Sequence, residues 1–100
     1  MTETERLAAF VAAVDDERRL DPAQRSTRAT DESLDGVRAH LQQAAACMRT
    51  GRADGALKAL EPVRYHVAEA WSFQSPLANS LLDYVSDLER ARLRKPRNAT

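Results

Sequence analysis

One hundred residues, 43% apolar and 30% charged, make one small globular domain whose modest core leaves pairing with another chain open. Fifteen basic residues balance fifteen acidic ones, which argues against a nucleic-acid binder, since such proteins carry a basic excess. The single cysteine excludes an internal disulfide framework, and with no leader-like segment and no long apolar run a cytoplasmic, non-membrane protein is expected.

The apolar content leans on Ala, with Leu and Val but no Ile, and only three Gly interrupt it, so helices are favoured over a sheet. Thr2 and Glu5 have the spacing of a capping box, and Leu7, Phe10, Val11 and Val14 then follow one helical face. Asp21-Pro22 stops this first helix, which the pattern places at about 3–20. The run PAQRSTRAT, which has no large apolar residue, reads as a polar linker over 22–30.

A second helix starts at Thr30 or Asp31 and carries Leu34, Val37, Leu41, Ala44, Ala45 and Met48 to a stop at Gly51. A third opens with Asp54 as N-cap and aligns Leu57, Leu60, Val67 and Trp71. Pro62 lies inside it and predicts a kink or a break. Ser75-Pro76 starts a fourth helix, which ends among Arg92, Arg94 and Lys95 before Pro96, leaving a frayed tail at 96–100. The expected fold is all-α: a small antiparallel bundle of three to four helices, with 31–95 as its core and helix 1–21 packed across it or onto a second copy.

Two stretches resemble known families. In TGRADGALKALEPV (50–63), Gly51, Ala56, Leu57 and Leu60 are similar to the turn and second helix of a tetratricopeptide unit. Upstream, His40 stands where that family has a bulky aromatic, and only Ala44 fits. A solenoid also needs about three stacked units, and small residues at a close helix crossing account for the pattern without any family membership. LANSLLDYVSDLERA (77–91), through its leucines, Asn79 and Tyr84, resembles the closing helix of flagellin-type export chaperones, which implies a small helical bundle that shields a client.

No convergent carboxylates, glycine-rich phosphate loop or triad is present, so no enzyme is expected. His40 and Cys47 share a flank of the second helix, but two ligands do not make a metal site, and no metal or other cofactor is expected. Arg64 falls inside the apolar stripe of an unbroken third helix. It is then either rotated to the surface by Pro62 or paired with an acid of a neighbouring helix or a partner. The fourth helix has the core stripe Leu77, Leu81, Tyr84, Val85 and Leu88, and a second flank at Ala78, Leu82 and Leu93. So wide an arc exceeds what one neighbour covers.

These features predict a non-enzymatic adaptor, of the export-chaperone or anti-activator kind, that masks an apolar surface of a protein client. Its contact residues would be Trp71, Phe73, Leu82, Tyr84, Leu93 and Arg64. The competing expectations are a nucleic-acid-associated regulator using the basic segment RARLRKPR, and a homodimer whose seam is the wide arc.

Overall fold

The computed structural model describes residues 2–94, with backbone alone at 93 and 94. Among these residues there are four helices and no strand: α1 (Glu3–Arg19), α2 (Asp31–Arg49), α3 (Ala53–Ala70) and α4 (Pro76–Arg94), with a short 3-10 turn at Pro22–Gln24. None of the helices is long and apolar enough to cross a membrane.

Local chemistry sets most of the helix boundaries. The Thr2 hydroxyl accepts from the Glu5 amide at 3.1 Å, and the Glu5 carboxylate accepts from the Thr2 amide at 2.8 Å, completing the capping box. The bond from the Thr2 backbone holds the Glu5 carboxyl below the usual carboxylate range. Thr30 caps α2 by accepting from the Ser33 amide at 3.1 Å, and Ser75 caps α4 by accepting from the Ala78 amide at 3.2 Å. Gly51 takes φ 76°, the left-handed conformation expected after α2.

The start of α3 differs from expectation. Arg52 precedes it without a side-chain cap, and Asp54 lies in its first turn, where its carboxylate accepts from Arg92 Nε at 2.6 Å. Nor is α3 broken at Pro62, since it runs without interruption from Ala53 to Ala70. The missing N–H falls on an exposed face, where water can serve the Lys58 carbonyl.

The helices pack antiparallel in chain order, each against its predecessor. The α1–α2 seam is marked by Arg38 Nε donating to Asp15 at 2.6 Å and Arg18 Nε to Asp35 at 3.0 Å. Leu7 and Val14 of α1 are fully buried in the same core as Leu34, Leu41, Leu60, Val63 and Leu81, so α1 packs on its own bundle. At the α2–α3 turn a Cβ on Gly55 would lie 3.1 Å from Cys47 Sγ. Buried Cys47 therefore serves as packing at a close helix crossing.

The backbones of α1 and α4 stay apart along most of their length, and Tyr84 spans the gap. Its ring centroid is 5.2 Å from that of Phe10, the Arg6 guanidinium lies 4.6 Å from its ring centroid, and its hydroxyl donates to Glu3 Oε1 at 2.9 Å. Burial, and then the Glu3 carboxylate, push the phenol well above its ordinary range.

Residues 22–30 are a docked segment and not a loose linker. Arg25, Thr27 and Ala29 are buried. The Arg25 guanidinium donates to the carbonyls of Glu17 at 3.0 Å, Arg18 at 2.9 Å and Ala29 at 3.0 Å, and to Asp31 Oδ1 at 2.6 Å. It thereby serves the Arg18 and Leu20 carbonyls, which the end of α1 leaves open, and shares the Glu17 carbonyl with the Leu20 amide. The same hydrogen bond holds the Asp31 carboxyl below its usual range. The buried Glu17 carboxylate accepts from the Thr27 amide at 2.7 Å.

Candidate protein-docking site at the Phe73 loop

The segment between α3 and α4 is short and heavily hydrogen-bonded. The Ser72 amide donates to the Thr27 carbonyl at 2.9 Å, tying this loop to the α1–α2 connection, and the Ser26 and Ser75 hydroxyls meet at 3.1 Å. The Gln74 amide donates to Ser72 Oγ at 3.2 Å, and Asn79 Nδ2 donates to the Phe73 carbonyl at 3.0 Å. On this fixed backbone the Phe73 side chain is 82% exposed, the most exposed of the large apolar residues described. An aromatic ring left in water on an ordered loop loses little further conformational entropy when a partner covers it.

Three residues on, Pro76 and Leu77 form one wall of a groove of about 390 Å³ between α4 and α1. Ala9, Phe10 and Ala13 form the other wall, and Arg6 and Ser80 are the polar groups along it. The groove exists because α1 and α4 touch through side chains, and because small alanines line the α1 side.

Among the described residues expected to touch a partner, Phe73 is the one large apolar side chain left open. Trp71 is buried, and its Nε1 donates to Ser33 Oγ at 2.8 Å, so it closes the core between α2 and α3. Tyr84 is likewise buried, as the link to α1. Arg64 is exposed and lies 3.4 Å from Glu89 of α4, so its acid comes from the same chain. Leu82, seven residues before Glu89 and hence on the same flank of α4, is half-buried against the core. The wide apolar arc therefore has two neighbours: Tyr84 turns to α1, while Leu82 lies on the flank facing α3. The Leu93 side chain lies outside the described residues.

Sequence reasoning missed the α1 wall. The helical periodicity assigns Phe10 to the core face, and Ala9 and Ala13 carry no signal of their own, because an exposed alanine is as ordinary as a buried one. Among the described residues no cluster of three potential metal ligands forms. Arg92, the next basic residue after Arg90 in the C-terminal segment, is engaged with Asp54. Compared with known proteins, the chain matches no family model, no curated protein and no solved structure at a significant level.

Proposed function

We propose that this chain is a non-enzymatic protein-interaction module that covers an apolar surface of a protein client, with Phe73 as its anchor. The observation that carries this reading is a fully presented aromatic ring on a hydrogen-bonded loop, next to an apolar groove. Adaptors of the export-chaperone or anti-activator kind work this way: a small folded domain shields a sticky segment until it is needed. A helix or extended segment of the client would lie against Ala9, Ala13 and Leu77, with its own apolar side chain beside Phe73.

Affinity purification from the native cell, followed by a binding titration with the protein recovered, tests the reading. Phe73→Ala should weaken that complex by about tenfold or more, the scale of an interface hot spot, while helicity and melting temperature stay unchanged. Full affinity in the Phe73→Ala protein removes the anchor and with it the reading. Self-association would use the same ring and groove, both present on every copy, and light scattering on the purified protein distinguishes it from a heteromeric complex.

A further inference from the structure

Helical spacing puts Leu20 on the same face of α1 as Ala13, and as Ala9 and Arg6 before it. Leu20 and Phe73 are two of the three large apolar side chains left exposed among the described residues. Both stand at one end of the α1–α4 groove, because α1 ends where α4 begins and the two connections meet there through Ser26 and Ser75.

The contacts of Tyr84 set the levels along this face. Its ring meets Phe10, and α4 runs antiparallel to α1, so Leu77 falls two turns nearer the end of α1, beside Ala13. Phe73 lies a further turn beyond Leu77. The ring therefore stands about 10–15 Å along the bundle from the hollow at Ala9, Phe10 and Ser80. A projecting ring and an unfilled hollow share one face, offset along its length.

That offset is what two-fold pairing requires. The same patch then lies on both copies, so a knob needs a hole displaced from it on its own surface. An axis near Ala13 and Leu77, half-way between ring and hollow, sends each Phe73 into the other copy's groove. The two α1 helices then cross antiparallel at Ala13, whose small side chain permits close approach. The same rotation carries Arg6, seven residues before Ala13, to the level of the partner's Leu20 and Asp21. Neither Arg6 nor Asp21 forms an ion pair within its own chain among the described residues, so opposite charges meet at both rims of the pairing.

We infer that the α1–α4 face pairs with a second copy of this chain as an antiparallel two-fold dimer, each Phe73 seated in the groove of the other. The inference rests on the reading of ring and groove as a docking surface and adds its regulation: the free protein covers its own anchor, and a client must displace the second copy. From Arg6 to Leu20 the face spans about 21 Å of α1, which makes a small interface and a Kd on the order of 10–100 µM. At about 1 µM, where denaturation and client titrations are run, the monomer prevails.

Sedimentation velocity on the purified full chain alone, from about 5 to 500 µM, tests the inference. The mass should rise from that of one chain to that of two. Phe73→Ala removes the knob and Ala9→Glu fills the hole, both at exposed positions, and each should weaken association by about tenfold or more. Mixing the two variants gives the sharper test. Their heterodimer keeps one intact contact, the ring of the Ala9→Glu copy in the open groove of the Phe73→Ala copy. In isotope-labelled Phe73→Ala protein, the amides of Ala9, Ala13 and Ser80 should therefore shift when unlabelled Ala9→Glu protein is added. They should stay in place when more unlabelled Phe73→Ala protein is added. A wild type that is monomeric at 500 µM, variants that associate as tightly as wild type, or groove amides unmoved in the mixture would each overturn the inference. A monomer whose client binding still depends on Phe73 would remove the dimer and leave the docking reading standing.

Discussion

Between α1 and α2 the chain turns its polar groups inward: Arg25 and Thr27 are buried, and the guanidinium serves carbonyls at the end of α1 and at Ala29. Between α3 and α4 it turns an aromatic ring outward on a backbone that is just as firmly bonded. The two connections touch through Ser26 and Ser75, and their roles are the reverse of what hydropathy suggests. A guanidinium can be buried where orphaned carbonyls need five donors in a fixed fork, and a phenyl ring can be exposed where the backbone beneath it needs no help. Burial in this bundle follows hydrogen-bond supply as much as apolar area.

That contrast can be broken at either loop. The largest effect is expected from Arg25→Ala, which leaves the carbonyls of Arg18, Leu20 and Ala29 without a donor. Urea denaturation should show a loss of about 3–5 kcal/mol, with Arg25→Lys recovering little because an ammonium cannot fork. Leu82→Ala should cost about 1–2 kcal/mol, since the side chain is half-buried on the α3-facing flank. An unchanged stability there would return Leu82 to the list of free surface residues.

Tyr84→Phe should cost about 1 kcal/mol at neutral pH through the bond to Glu3. Its clearer signature is alkaline. The folded phenol is raised above its unfolded value of about 10, so its contribution is complete below that pH and is lost as pH rises, because the unfolded chain ionises first. Above about pH 10 the wild type should therefore lose stability more steeply than Tyr84→Phe. Phe73→Ala comes last, within about 0.5 kcal/mol of wild type in the same denaturation. A loss as large as that of Leu82→Ala would mean that the ring packs on its own chain, and the contrast between the loops would dissolve.

Helix starts were legible in the sequence because caps are local: Thr2 with Glu5, Thr30 with Ser33, and Ser75 with Pro76 each act within one turn. The register of α3 was harder to read. The leucine spacing predicts Leu57 in the core, yet Ala56, Ala59 and Val63 face inward and Leu57 is half-exposed, a rotation that brings Arg64 to the surface without any break at Pro62. Small residues carry too little hydrophobic signal to outweigh a leucine, although close packing favours them. The role of Arg25 could not be read at all, because it depends on carbonyls at Glu17, Arg18 and Ala29 that converge only after α1 and α2 have turned. Phe73 was legible by elimination, once Trp71 was assigned to the core.

The stitching of the two connections gives the bundle a direction of opening. One end is closed by Ser72 to Thr27 and by Ser26 to Ser75, so the backbone there cannot separate one helix pair without disturbing the other. The opposite end holds the first turn of α1, the last turn of α4 and the glycine turn at Gly51, joined by exposed side chains such as Arg92 and Asp54. Amide exchange should begin at that end and reach Thr27 and Ser72 only when the whole domain lets go. The surface that displays Phe73 is then among the last parts of the chain to lose its shape.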